Sequence, residues 1–200
     1  MTHSNELLST SACDSTTDFT LSCGFVTVAE ATVCNLEAQG WIYNAQARLL
    51  LIIDMPVGFA LQRLESGSTL EQQKVVVVTW NPCPEYWEDL WDYDPTVLVA
   101  DDALTINEAM RLTRRNTIGR FTPDAPLRLT ACERKVLRLM ARGYVNQDIA
   151  TMLEIQHQSV RNTVTAIYQK LHLRDRSDVL TYYWGIWRWC NRGADEAPGL

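Results

Sequence analysis

Residues 129–180 read LTACERKVLRLMARGYVNQDIATMLEIQHQSVRNTVTAIYQKLHLRDRSDVL, and the helical pattern of the chain is clearest here. Thr130 and Glu133 have the spacing of a capping box, in which two side chains satisfy free N–H groups at the start of a helix. Apolar residues then recur at helical intervals until Gly143, which is expected to end this first helix.

Two short helices joined by a tight turn are predicted next. Asn146 is expected to cap the first of them, and the second carries an apolar stripe that includes Val160 and Val164, with polar residues on its open face. This arrangement predicts a helix-turn-helix unit. A fourth helix is predicted from about Ser177 to Arg188.

Three continuous apolar runs precede this region, at Arg48–Asp54, Lys74–Thr79 and Thr96–Ala100. Uninterrupted hydrophobicity over such a length favours strands that are buried on both faces, as in a parallel sheet. Because predicted helices lie between the runs, we expect an α/β domain with a small parallel sheet, followed by an all-α domain of four helices.

Composition suggests where these domains begin and end. Residues 19–119 are assigned to the α/β domain, residues 120–127 to a linker with two prolines, and residues 128–190 to the helical domain. Polar segments without periodicity at residues 1–18 and 191–200 are expected to be disordered tails.

Charge is divided unevenly along the chain. Residues 1–124 hold 7 Lys/Arg against 17 Asp/Glu, a net of −10, whereas residues 125–200 hold 11 against 7, a net of +4. Only the second part is therefore expected to meet a polyanion. Four basic residues at the first helix of that part are interpreted as a solvated face, with steering of DNA as the alternative: Arg134, Lys135, Arg138 and Arg142.

No metal site is expected, because the six cysteines include no closely spaced pair and only three histidines accompany them. The N-terminus lacks a basic region followed by an apolar stretch, and no run reaches the length of about 18 apolar residues that a membrane span needs. We expect a cytoplasmic protein without a membrane partner.

The stretch from Leu129 to Leu180 resembles the DNA-binding domain of the LuxR/NarL/FixJ regulators. The resemblance rests on the Leu-Thr-x-x-Glu opening, the Asn-x-x-Ile-Ala segment, the Ser-Val-Arg-Asn run and the Lys-Leu-x-Leu-Arg-Asp-Arg end. Gln156 stands where the family has Ser or Thr as the N-cap of the recognition helix, and His172 stands where it has Gly. Histidine tolerates positive φ better than most residues, so this departure is acceptable.

The α/β part resembles, more distantly, the receiver domain of response regulators. Asp54 ends a predicted strand where the phospho-accepting aspartate stands, and Thr79 ends the next one at the switch position. Asp101 replaces the receiver lysine, and no adjacent acidic pair precedes Asp54 to hold Mg²⁺. The resemblance therefore implies a degenerate receiver of the CsgD/VpsT kind, with Asp54 only a weak candidate phosphorylation site.

In that branch a linker motif can bind cyclic di-GMP. Arg120-Phe121-Thr122-Pro123 keeps the middle of the motif and lacks its terminal arginine, so we expect no cofactor there.

The resemblance also implies which side chains contact double-stranded DNA. Base contacts are expected from Gln158, Ser159, Arg161, Asn162 and Thr165, because Arg reads guanine and Asn or Gln reads adenine. Phosphate contacts are expected from Asn146, Lys170 and Arg174.

Tryptophans are the candidates for a homodimer interface. Trp184 and Trp187 lie on the predicted last helix, and Trp87 and Trp91 lie on an acidic helix of the α/β part. Trp is a favoured interface anchor, with packing inside a domain as the alternative.

The sequence thus predicts a bacterial transcriptional regulator that is not an enzyme, with RNA polymerase as a further candidate partner. Two alternatives stay open. One is a response regulator activated by phosphorylation of Asp54. The other is an interaction protein whose acidic, Trp-rich half sequesters another factor.

Overall fold

A computed structural model describes residues 17–67 and 73–186 of the chain. The strands, in chain order, are β1 (Asp18–Cys23), β2 (Ile42–Tyr43), β3 (Leu49–Ile53), β4 (Lys74–Thr79), β5 (Val97–Ala100) and β6 (Gly119–Phe121). The helices are α1 (Val26–Ala38), α2 (Phe59–Glu65), α3 (Pro84–Trp91), α4 (Ile106–Arg114), α5 (Ala131–Ala141), α6 (Asn146–Met152), α7 (His157–Leu171) and α8 (Arg176–Tyr183).

The predicted parallel sheet is confirmed. Six strands pair in the order β2-β1-β3-β4-β5-β6, and every pairing is parallel. All residues of β3 and β5 are buried, as the continuous apolar runs predicted, because helices cover both faces of the sheet there. The last strand, β6, forms at the start of the predicted linker, where residues 119–121 pair with β5.

The two faces of the sheet belong to different apolar cores. On one face, Phe19 of β1 and Leu51 of β3 pack in a core that includes Ala109 and Met110 of α4. On the other face, Leu50 and Ile52 belong to a core that continues through α2 and α3 into the helical domain. The two domains therefore share one of their hydrophobic cores.

The second crossover of the sheet is short. The strand β2 has two residues, and residues 44–48 lead from it directly into β3 without forming a helix.

The helical domain has the predicted four helices. Both hydrogen bonds of the capping box between Thr130 and Glu133 are present at the start of α5. Gly143 follows α5 with φ +91°, and His172 ends α7 with φ +56°, so each occupies the left-handed region as expected. Gln156 is the N-cap of α7 and makes no side-chain capping bond. Asn146 is the first residue of α6, and Val145 is its N-cap, so the prediction that Asn146 caps this helix is wrong.

Of the helices in the described ranges, none combines the length and the apolar character that crossing a bilayer requires. Apart from residues 17 and 18, the predicted tails lie outside the described residues, as does the predicted end of the last helix beyond Ile186. Asp18 is the first residue of β1.

Candidate functional site

One side of α7 presents a polar face to solvent. Its apolar residues at helical spacing, Val160, Val164, Ile167 and Leu171, are buried against the other helices of the domain. The five residues expected to contact bases lie together on the opposite, exposed side: Gln158, Ser159, Arg161, Asn162 and Thr165. Because the apolar side of α7 is buried, its polar side faces solvent.

The hydrogen bonds within this face do not involve the guanidinium of Arg161. The amide of Gln158 donates to Asn162 Oδ1 at 3.0 Å, and the hydroxyl of Thr165 donates to the backbone carbonyl of Arg161. Among residues 17–67 and 73–186 the Arg161 guanidinium has no hydrogen-bond or ion-pair partner. The five donors of this group are therefore available to an incoming acceptor.

The residues expected to contact phosphates are partly engaged within the domain. The Lys170 ammonium lies 2.7 Å from both carboxylate oxygens of Glu133, and Arg174 pairs with Asp178 at 3.0 Å. Burial opposes ionisation of Glu133, but hydrogen bonds from Lys170 and Thr130 lower its pKa. Both cations remain accessible to solvent, since the side chain of Lys170 is 41% exposed and that of Arg174 is 85% exposed.

Two arginines of α5, and Arg142 directly after it, contact acidic residues of the other domain. Arg134 is only 8% exposed, and its guanidinium contacts Asp89 at 3.2 Å and Asp92 at 2.6 Å on and beside α3. Arg138 approaches Asp89, and Arg142 pairs with Glu65 of α2 at 2.5 Å. The solvated-face interpretation is therefore wrong for Arg134, which is buried, whereas Lys135 is exposed as that interpretation expected.

Tyrosines from α8 complete this contact. Asp89 is 1% exposed, and its second carboxylate oxygen accepts a hydrogen bond from Tyr183 at 2.5 Å. Burial raises the pKa of Asp89, which the Tyr183 hydroxyl and the arginines oppose. Tyr182 donates to Glu85 of α3, and the amide of Asn81 donates to the carbonyl of Tyr183 at 2.9 Å.

An aromatic cluster lies at the centre of the domain contact. The rings of Tyr86, Tyr183 and Trp184 pack edge to face with centroids 4.9–6.0 Å apart. Trp184 also lies over Gly58, where an added Cβ would come within 2.9 Å of its ring. Gly58 has φ +96°, so both the backbone and the close approach of the indole favour glycine.

The four candidate interface tryptophans have different positions. Trp87 is 3% exposed and donates to the Asn81 carbonyl, so it is a core residue and offers no surface to a partner here. Trp184 packs at the contact between the domains, and Trp91 is half-buried beside a surface cleft. Trp187 lies outside the described residues.

The Asp54 carboxylate is enclosed at the carboxyl end of the sheet. It is 1% exposed and accepts hydrogen bonds from the backbone N–H groups of Gly58 and Ala60, at 3.0 and 2.9 Å. The hydroxyls of Thr79 and Tyr86 also donate to it, at 2.7 and 2.9 Å. Burial raises the pKa of Asp54, and these four hydrogen bonds oppose that shift.

The two residues that follow Asp54 pack closely against Gly24 at the end of β1. Gly24 follows β1 and donates to the Met55 carbonyl at 2.8 Å, and a Cβ at Gly24 would lie 2.7 Å from Pro56. Within the described part of the chain, no three His, Cys, Asp or Glu side chains group as metal ligands would. Asp101 follows β5 with φ +54°.

Sequence reasoning missed the contact between the domains. The signal that could have indicated it was the opposite net charge of the two halves, which was interpreted only in relation to an external polyanion. The residues that carry the contact are spread over α2, α3, α5 and α8, and their proximity follows only from the tertiary structure.

Comparison with known proteins finds a matching family and several relatives of this chain. Residues 127–183 match the family described as bacterial regulatory proteins, luxR family. Response regulator protein VraR of Staphylococcus saprophyticus is 32% identical over 153 residues, covering 66% of this chain and 70% of that protein. VraR of Staphylococcus aureus is 30% identical over 103 residues, and the match spans about half of that relative's length (49%).

A solved structure shares the two-domain layout. RcsB from Salmonella enterica serovar Typhimurium, bound to promoter rprA in the presence of phosphomimetic BeF3−, superimposes with a TM-score of 0.53. It is 17% identical, and the match covers 84% of this chain and 98% of that one. At this identity the likeness concerns the fold.

Proposed function

The chain belongs to the LuxR-type response regulators, and on that premise we propose that it is a bacterial transcriptional regulator that reads DNA with α7. The observation that carries this proposal is the exposed polar face of α7, held outward by a buried apolar stripe. Arg161 would donate to a guanine, and Gln158 and Asn162 would pair with adenine. Lys170, Arg174 and the start of α6 at Asn146 would contact phosphates.

The N-terminal domain is proposed to act without phosphorylation. Asp54 is enclosed by four hydrogen bonds, and the Met55 carbonyl and the Pro56 ring pack closely against Gly24. Phosphoryl transfer needs a cation to neutralise the phosphoryl oxygens, and Asp101 stands after β5 in place of the receiver lysine. These features support a degenerate receiver over a phosphorylated one.

Signal input is proposed to reach the helical domain through the contact of α3 with α5 and α8. Because Asp89, Arg134 and Tyr183 form one buried network, a change in the position of α3 would alter the placement of the helical domain. The acidic face of α3 is occupied by the chain's own arginines, which weakens the alternative that it sequesters another factor. A homodimer on a repeated DNA site is the proposed functional unit.

Selection from a randomised duplex library tests the DNA-binding proposal. The full chain is expected to enrich one short motif, in a repeated form if two protomers bind together. Enrichment of no sequence, together with a stable protein partner in a pull-down, would favour the interaction-protein alternative.

Acetyl phosphate is expected not to label the protein, with or without Mg²⁺. The Asp54→Asn variant should bind the selected duplex within about twofold of the original affinity, because none of the four hydrogen-bond partners of Asp54 lies on α7. Mass spectrometry of the intact protein and a binding titration measure the two results. Labelling that requires Mg²⁺ and disappears in Asp54→Asn would show a working receiver instead.

A further inference from the structure

The short second crossover leaves a groove on the sheet. Residues 44–48 pass directly from β2 to β3, and a cavity of about 470 Å³ lies beside them. Thr20 and Ser22 of β1 line it, on the strand face opposite to that of the buried Phe19. Polar side chains on this part of the strand are consistent with a surface that meets solvent or a polar molecule.

The charge of the groove differs from that of its surroundings. The half of the chain up to residue 124 has a net charge of −10, yet Arg48 and Arg63 both line the groove and no Asp or Glu is among its described lining residues. Hydroxyls of Thr20 and Ser22 and the amide of Gln46 add neutral donors. An anion would be attracted to the two arginines of this groove, although the first part of the chain is acidic as a whole.

We propose that this groove binds a small phosphate-bearing molecule, with its phosphate on Arg48 and Arg63. Two guanidinium groups supply two positive charges, which match a phosphate dianion better than a single carboxylate. The volume lies within the range of about 300–1,000 Å³ that small-molecule sites occupy, so an organic group could bind beside the phosphate.

The helix that carries Arg63 also contacts the helical domain. Glu65, at the end of α2, pairs with Arg142, which follows α5. Gly58, directly before the start of α2, lies against the ring of Trp184. A phosphate bound to Arg63 in the groove would therefore influence the position of α2, a helix that contacts the helical domain. This regulatory role rests on the proposed function, whereas binding in the groove does not.

Titration of the full chain with inorganic pyrophosphate, followed by two-dimensional NMR at constant ionic strength, tests the site. Backbone amide signals of Thr20, Ser22 and Gln46 are expected to shift in a saturable manner. Arg48→Gln and Arg63→Gln should each weaken this binding about tenfold, since each removes charged hydrogen bonds. Arg48 is exposed, so its variant is expected to fold normally.

Two matched controls distinguish this groove from other basic surfaces. Arg115→Gln removes an exposed charge of the same domain, and Arg161→Gln removes one from α7; both should leave the groove titration unchanged. Shifts confined to α7, no saturable shifts, or equal affinity in Arg48→Gln would each overturn the proposal. If the duplex library yields no enriched sequence while pyrophosphate still binds the groove, the DNA-binding proposal fails and the groove site stands.

Discussion

Replacing Arg134 with alanine is expected to lower the free energy of unfolding by about 2–3 kcal/mol, because it removes one of the two arginines that compensate the buried carboxylate of Asp89. Asp89 is 1% exposed and lies 3.2 Å from the Arg134 guanidinium. The Tyr183 hydroxyl would remain as a donor, and Arg138, 4.0 Å from the carboxylate, would be its remaining cation. Urea unfolding followed by circular dichroism measures the effect.

Two further variants make this result specific. Lys135→Ala alters the neighbouring exposed residue of α5 and should change the free energy of unfolding by no more than about 0.5 kcal/mol. In an Asp89→Asn background, Arg134→Ala should cost at least about 1 kcal/mol less than in the original chain, since no buried charge is left unpaired. Equal costs in both backgrounds would contradict the assignment of this ion pair to the domain contact.

Arg161→Ala is expected to weaken binding to the selected duplex by about 1–3 kcal/mol, a loss of roughly ten- to hundredfold. The loss should be confined to sites that carry the guanine read by this side chain, so that the variant tolerates other bases there. Titrations with the selected duplex and with duplexes altered at single positions measure both effects.

Lys170→Ala tests a phosphate contact, in contrast to the base contact of Arg161. If Lys170 leaves Glu133 to contact a phosphate, its removal should weaken binding to every duplex and reduce the salt dependence by about one unit. Uniform losses from both variants, independent of sequence, would mean that the base-reading side of α7 has been assigned wrongly.

The α7 face could be predicted because the features that define it are local. The buried stripe that begins with Val160 and Val164 repeats at helical spacing, and this periodicity alone fixes which side chains point outward. The positive φ of His172 could likewise be predicted from a single position at a helix end.

The contact between the domains could not be predicted in the same way. Arg134 and Lys135 are adjacent and both basic, but one is buried and the other exposed, because only the side of α5 that meets α3 is covered. For Trp87 the alternative of packing inside a domain applies, since its indole turns inward to the Asn81 carbonyl. The position of Trp87 on an acidic helix could not indicate which side of that helix is buried.

Asp54 illustrates the limit at a candidate site. Its place after a buried strand could be predicted, and so could the lack of an acidic pair before it. The close packing of Met55 and Pro56 against Gly24, and the four hydrogen bonds that enclose the carboxylate, depend on loops whose course the sequence pattern does not determine.

Methylation protection at guanine N7 tests the central claim, that α7 reads bases in the major groove, most directly. With the selected duplex, the full chain is expected to protect at least one guanine in the motif, and Arg161→Ala should abolish protection at that guanine while Lys170→Ala retains it at saturating protein. Absence of guanine N7 protection in a saturated complex, or protection that Arg161→Ala leaves unchanged, would contradict the account.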